Sequence, residues 1–515
     1  MTVPRPGFLP PDSPAERRAA DGIVHRFAPG LAAGESAPMV AHGLRLLAER
    51  RAAMRPVPDR VCWSRISYRQ HFRPAAALRE IRHADGTRAR ELTVDLGQTA
   101  SPADLASQVA EALDGPLQAP GIDIGGYRRA GESPIWDFNA AFWHHLPAYM
   151  AAVGRNAHDA IGGSPDSDPV RTAEHARRFC ARVRRARGSD GSRPTPPLAY
   201  LDVGAADTGY AETMIGHLAR LGGVDYLVAD RSPGALRRAR TRIGQRRGSV
   251  SVHYVAFDLT RPGPALEAYR GRILGVHLTN LLDNLPGEEL VQIGGRHYQL
   301  HTCLYLPAAA LEWLAARHRL HPGRLATDLR GLAGTATGAV GRVLEHCRDR
   351  FAAPGAAGGE RAWYLFWQDL FGNPEARGSG LRLRERLVEV ADPNSAATWQ
   401  APAGALPPEV AAPGPDRRIP LSDRAIGACL RLIGLLHPHG VLEITDIMLR
   451  DRDGAAPYAS YHGPAKYDGS VVNWFNGGLF RLVARRAYPE CSFTWRSLGE
   501  AKSHMTCLEV DRGGR

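Results

Sequence analysis

Five short, nearly continuous apolar runs separated by helical patterns most constrain what this chain can fold into. They are LAYLDVG from Leu198, VDYLVAD from Val224, SVHYVAFD from Ser251, ILGVHLTN from Ile273 and GVLEITDIML from Gly440. Strands covered on both faces of a parallel sheet read in this way, because neither face can be polar. The helical stretches SPGALRRARTRIGQ and RAIGACLRLIGLL lie between them. The final SFTWRSLGEAKSHMTCLEV reads as two strands with a short connection. Alternating strand and helix with a terminal hairpin predicts a doubly wound α/β sheet with an antiparallel edge.

The remainder divides by composition. Residues 1–20 are rich in proline and charge and read as a flexible tail. Residues 21–165 form an α+β region, expected as a lid or a dimerisation surface. In it a hairpin turns at Asp85-Gly86, a helix is capped by Ser101 in SPADLASQVAEAL, and an aromatic helix runs from Ser133. Residues 166–515 carry the α/β domain, with an insertion at about 287–420. That insertion opens on a hairpin turning at Gly294-Gly295 and closes on the low-complexity APAGALPPEVAAPGPDRR, a loop or linker.

The chain has 515 residues and a formal charge of +12, but almost all of its basic residues are arginine; the lysines are Lys466 and Lys502. That bias matches a GC-rich coding sequence, and no aromatic-interleaved basic patch accompanies it. Nucleic acid is therefore not an expected partner. No apolar run is long enough for a membrane span, and the seven scattered cysteines form no C-x-x-C pair. A reducing, cytoplasmic setting follows. The His144-His145 pair has no ligand partner at useful spacing, so no metal is expected.

The first run enters LDVGAADTGYAE, a glycine-punctuated turn ahead of a helix, which does not fit G-x-G-x-x-G. It resembles motif I of the class I S-adenosylmethionine-dependent methyltransferases. Ala206 stands where that motif has its middle glycine, and Gly209 comes one position late. The resemblance implies a Rossmann-like seven-stranded sheet with a terminal antiparallel hairpin. It also implies S-adenosylmethionine as cofactor, bound by Asp202, Gly204, Ala206 and Gly209. Asp230 ends the second strand, where a carboxylate can accept from ribose hydroxyls. Asp258, beside Leu259, matches the family's adenine-binding acid. LLHPHGVLEITDIML resembles the family's helix, P-x-G turn and fifth strand.

HLTNLLDNLPGEELVQIGGRHYQLHTCLYL resembles the MidA-like group, whose members methylate protein arginine. Thr279 and Asn280 stand at that motif's Asn-Glu, with Asn280 on the cofactor side, and Asp283, Leu285 and Pro286 match. Related bacterial enzymes methylate free arginine on the way to natural products. The acceptor implied is a small molecule or peptide with a guanidino group. Carboxylates would grip its planar fork. Asp283 and Asp446 are the catalytic candidates, and Glu443, three residues from Asp446, faces the opposite way. Glu288 and Glu289 read as exposed loop acids. YHGPAKYDGSVVNWFNGG would close over the acceptor through Tyr461, His462, Lys466, Asn473 and Trp474, and Trp143 and His144 would cover it from the first region. Two alternatives stand beside this: O-methylation of a hydroxyl or carboxylate with His462 or His144 as base, and a non-catalytic assembly partner that keeps the fold.

Overall fold

The computed structural model describes residues 22–28, 31, 33–66, 71–114, 121–143, 166, 168–187, 197–204, 208–261, 264–331, 356–371, 380–395, 399, 404–450, 461–467, 469–498 and 505–513. The chain enters through β1 (Val24–Phe27), α1 (Ala33–Ala52), β2 (Arg60–Ser64), β3 (Ala76–Arg82), β4 (Arg88–Asp95), α2 (Pro102–Asp114) and β5 (Gly121–Arg129). Helix α3 (Pro169–Ala186) leads into β6 (Leu198–Val203), α4 (Thr208–Leu218), β7 (Val224–Asp230), α5 (Pro233–Ile243), β8 (Arg246–Arg247), β9 (Val250–Ala256) and β10 (Ile273–Thr279). Then come β11 (Glu289–Ile293), β12 (Arg296–Pro307), α6 (Ala308–Arg317), α7 (Pro322–Gly331), α8 (Ala356–Phe371), β13 (Arg382–Glu389) and β14 (Arg417–Pro420). The last part holds α9 (Asp423–Leu435), β15 (Leu436–Asp446), β16 (Met448–Leu449), β17 (Ala465–Tyr467), β18 (Ser470–Val472), β19 (Phe475–Asn476), α10 (Gly477–Ala487), β20 (Ser492–Ser497) and β21 (Thr506–Asp511).

Two large sheets result. One has eight strands in the order β20-β21-β15-β10-β6-β7-β9-β8. Its five long apolar strands run parallel, β9-β7-β6-β10-β15, while β21 is antiparallel to β15 and β20 to β21. Because these strands alternate in side-chain direction, each buries two faces. Tyr200, Tyr226 and Val228 meet α3, α4 and α5 through Phe179, Met214 and Ile243. Leu201, Leu227, Leu278 and Ile444 meet α9 and α10 through Ile426, Leu430 and Phe480. Each such fully buried side chain contributes about 1.5–3 kcal/mol. The HPHG stretch expected to be a turn belongs to β15 instead. Ile273 pairs with Leu436, and the register shifts before Gly275 pairs with Val441.

The other sheet is mixed and has nine strands, in the order β1-β2-β4-β3-β13-β12-β11-β14, with β5 also on β12. Strands from the N-terminal region and from the insertion therefore build one sheet, joined where β13 runs parallel to β3. Its hairpins obey turn chemistry. Gly86 stands at φ 84° between β3 and β4, and Gly294 and Gly295 at 56° and 75° between β11 and β12. Consecutive positive φ values suit a two-residue turn that glycine makes at little cost. Ser101 Oγ accepts from Asp104 N to cap α2. The low-complexity stretch is not simply a linker. Leu406 and Val410 are buried in the core beside α9. Among the described residues no helix is long and apolar enough to cross a membrane.

Candidate active site

In an open parallel sheet, ligands lodge at the carboxyl ends of strands where the strand order reverses. Here the chain goes from β6 outward to β7 and β9, then returns to β10 on the other side of β6. The reversal therefore falls between β6 and β10, where Gly204 and Asn280 follow the two strands.

Gly204 ends β6 at φ 79°, its N–H donating to Ala229 O at 2.8 Å, and a Cβ there would lie 3.5 Å from the Leu281 side chain. Only glycine holds this conformation without strain. Asn280 ends β10, also left-handed at φ 50°. Its N–H donates to Thr445 O at 3.0 Å, and its side-chain Nδ2 is buried without a partner. Asparagine is the side-chain-bearing residue best suited to that backbone. An amide donor left over at the switch point is a group for a ligand to satisfy.

Asp230 closes β7 and Asp258 follows β9 on the same edge, since Asp230 pairs with Ala256 in parallel register. Asp230 Oδ1 accepts from Ser232 N at 2.7 Å, and burial pushes its carboxyl above the usual range. Asp258 Oδ1 accepts from Thr260 N and Oγ1 at 2.9 and 2.7 Å. Leu259 is buried beside it. Asp202 points into the α3 face, where its Oδ2 accepts from Tyr226 at 2.9 Å. Gly209 lies in the first turn of α4. Ala206 and His144 fall outside the described residues.

The acids of strands four and five are otherwise engaged. Asp446 is 0% exposed. Its Oδ2 accepts from Leu281 N and Leu282 N at 3.1 and 2.8 Å, and its Oδ1 from Ile447 N at 2.8 Å. It staples the loop after β10 and has no oxygen left for a bidentate grip. Asp283 is buried against it, and burial plus the Asp446 charge raise its carboxyl far above the usual range. The pair keeps a proton, so Asp283 acts as a donor. Glu443 does face away from Asp446. It lies under α3, 3.2 Å from Arg178 and 3.4 Å from His175 Nε2.

Glu443, His175 and His277 bring their ligand atoms within 4.8 Å of one another, a group that could hold a metal ion. In the structure His175 Nδ1 lies 2.7 Å from Tyr210 Oη, and His277 Nε2 lies 3.1 Å from Asp166. Sequence spacing does not reveal this trio, since α3, β10 and β15 contribute one residue each.

Around Asp283 several expected residues do gather. Trp143 Nε1 donates to Asn284 Oδ1 at 2.9 Å, and Asn473 N donates to Asp283 O at 2.8 Å. The Tyr461 hydroxyl lies 2.8 Å from Asn473 Oδ1 and 2.9 Å from Glu289 Oε1, with the Trp474 ring edge-on at 6.1 Å. Glu288 and Glu289 are not exposed loop acids; each is 3% exposed. Glu289 pairs with Arg418 at 2.8 Å, and burial lifts Glu288 to about 7. His462 is held neutral, lowered to about 3 by burial and by Arg73 and Arg418. Lys466 does not join this group. It packs over the Phe72 ring at 5.1 Å, and burial lowers it to about 7. Sequence reasoning missed Asn139, whose amide donates to Asn284 O and accepts from Val471 N. A lone asparagine within the apolar helix IWDFNAAF is the signal that could have marked it.

No protein-family model matches the chain, and no curated protein matches it. The solved structures similar to it include two COG1565 superfamily proteins from Burkholderia thailandensis. One is a candidate methyl transferase bound to S-adenosyl-homocysteine, 12% identical, with a TM-score of 0.39, covering 76% of this chain and 89% of that one. The other is 12% identical with a TM-score of 0.36, covering 74% and 93%. CurJ carbon methyltransferase is 8% identical with a TM-score of 0.27, covering 82% and 73%.

Proposed function

We propose that this chain is an S-adenosylmethionine-dependent methyltransferase whose cofactor lies across the carboxyl ends of β6, β7, β9 and β10. The observation that carries the reading is the switch point itself. Gly204 and Asn280, both left-handed, follow β6 and β10 at that point, Asp230 and Asp258 stand on the same sheet edge, and the Asn280 amide nitrogen has no partner. The five parallel strands with an antiparallel β20–β21 edge support it, as does the motif I resemblance. The residues suit the group. Asp230 would accept from ribose hydroxyls, Asp258 and Leu259 would face the adenine, and Asn280 would donate to the amino-acid portion. The cofactor, when bound, supplies a sulfonium methyl for in-line displacement. The protein's own work is to orient the acceptor, exclude water and manage one proton. Residues 21–165 would serve as the lid, supported by the Trp143 contact with Asn284.

Transfer to a guanidino group, of free arginine or of protein arginine, is the narrower reading that the strand-four motif favours. It needs an ionised carboxylate pair facing the acceptor. Each carboxylate named for that task has another occupation: Asp283 keeps a proton, Asp446 is spent on backbone N–H groups and Glu443 on Arg178. For an oxygen acceptor the expected base is His462, but burial and the neighbouring Arg73 and Arg418 lower it to about 3, which makes it a weak proton acceptor.

Calorimetric titration with S-adenosyl-homocysteine tests the core of the proposal. Binding weakened about tenfold or more by Asp230→Ala is the expected result. A chain that binds neither this compound nor S-adenosylmethionine removes the enzyme reading. Binding without turnover on any acceptor leaves the assembly partner. Mass spectrometry of methylated products separates a guanidino product from an ester or ether.

A further inference from the structure

The nine-stranded sheet curls until its edges approach. Arg26 on β1 lies 3.8 Å from Asp416, the residue before β14. A closed or nearly closed sheet ordinarily fills its inside with side chains that pack without charge. This one is charged inside. Glu385 on β13 receives Arg418 Nη1 at 2.8 Å and Arg79 Nη1 at 3.0 Å, with Arg73 Nε at 3.5 Å. Glu91 on β4 receives Arg79 at 2.6 Å and also pairs with Arg26. Glu289 on β11 receives Arg418 at 2.8 Å. Four guanidinium groups thus share three buried carboxylates, and adding the neighbours Arg417 and Asp416 leaves the same excess of one positive charge.

Burying charges costs several kcal/mol per ion even when they are paired, and one uncompensated charge costs more. Such a cluster is expected to take up an anion. At its open end is a cavity of ≈ 520 Å³ counted out to the mouth, of which ≈ 50 Å³ can hold the centre of a water-sized sphere. Arg26, Arg73, Arg79, Arg417 and Arg418 line it, with Asp416 as the one carboxylate among the lining residues and His462 beside them. A single water needs about 10–15 Å³ by that measure, so there is room for a few waters or one small oxyanion.

We propose that this cavity is an anion subsite that takes a carboxylate or phosphate group of the methyl acceptor. Guanidinium forks match both oxyanions in shape and charge. Tyr461, on the cavity wall, connects through Asn473 to Asp283 at the exit of β10. This run of hydrogen bonds between buried residues ties the cavity wall to the exit of β10, so an anionic end held in the curled sheet is coupled to the residues there. Only the word acceptor rests on the methyltransferase reading; the preference for an oxyanion rests on the cavity's own residues.

The test is calorimetric titration of the full chain, in chloride-free buffer, with inorganic phosphate and separately with succinate, followed by S-adenosyl-homocysteine. Two variants accompany it: Arg73→Gln removes a cation at the mouth, and Ala28→Leu narrows the cavity without changing charge. The expected result is one site for at least one of the anions, weakened about tenfold or more by each variant that folds, with S-adenosyl-homocysteine affinity unmoved. Preference for phosphate assigns a phosphorylated acceptor, and preference for succinate a carboxylate. Absence of anion binding at low-millimolar concentrations, or binding that neither variant weakens, overturns the proposal. Anion binding without S-adenosyl-homocysteine binding upholds the subsite and removes the methyltransferase reading instead.

Discussion

Asn280 shows how one residue can trade stability for a site. An L-residue in the left-handed region loses roughly 1–2 kcal/mol relative to a relaxed backbone, and asparagine loses less than most. Asn280→Gly is expected to raise stability by up to ~1 kcal/mol in urea denaturation while weakening S-adenosyl-homocysteine, because the unsatisfied Nδ2 goes with the side chain. Lys466 offers a second trade. Its folded-state pKa is depressed to about 7 by burial, whereas the unfolded chain has an ordinary lysine near 10.5. Between those values the unfolded state holds more protons, so stability rises with pH across that window. Lys466→Met is expected to stabilise the protein by ~2–4 kcal/mol at pH 6 and by little above pH 10.5, measured by denaturation at both. Neither property was legible in the sequence. Lys466 stood out there only as a rare lysine, and its burial over Phe72 depends on packing between elements far apart in the chain.

The parallel strands were readable because each must be apolar on both faces, and β6, β7, β9 and β10 lie close to where their runs of apolar residues place them. The acids at their ends were readable for the same reason, since a charge stops such a run. The curled sheet was not. In β13, RLRERLVE alternates, and its inward face holds Leu383, Glu385 and Leu387. A glutamate between two buried leucines looks like a solvent-facing interruption until its three arginine partners are known. At this scale the loop after β10 is the sensitive element. Asp446 holds it through two of its backbone N–H groups, Leu281 and Leu282, and accepts a third from Ile447, so Asp446→Ala is expected to cost ~2–4 kcal/mol, read from a lowered denaturation midpoint. Gly204→Val is expected to weaken S-adenosyl-homocysteine about tenfold or more in calorimetry, because the backbone is left-handed where it faces Leu281.

At the scale of the whole molecule, the charged interior sets the response to acid. Burial would lift Glu91 and Glu385, but the arginines around them hold both down at about 2. Depressed carboxylates contribute stability above their unfolded value near 4.5 and lose it as pH falls toward 2. His462, lowered to about 3, adds loss in the same direction from about 6.5 downward. Asp283 opposes them, since its raised pKa favours the folded state at low pH. Asp230, Glu288 and Asp446 are raised as well and oppose the loss down to their unfolded values near 4, so denaturation midpoints are expected to fall mainly from about pH 4.5 to pH 3, where the two glutamates and His462 lose their contribution. A flat profile would mean that the arginine cluster is not buried as described.

The join between β3 and β13 carries a consequence for the birth of the protein. Arg79 and Glu385, which meet across it, are 306 positions apart in the chain. Strands β1 to β4 leave the ribosome well before β13 and must wait, with an unpaired edge, while β6 to β10 of the α/β sheet are synthesised in between. Long-range pairing of this kind is slow and exposes sticky edges. Successful production in a heterologous host is therefore expected to depend on chaperones that shield nascent β-structure and on slow translation at low temperature.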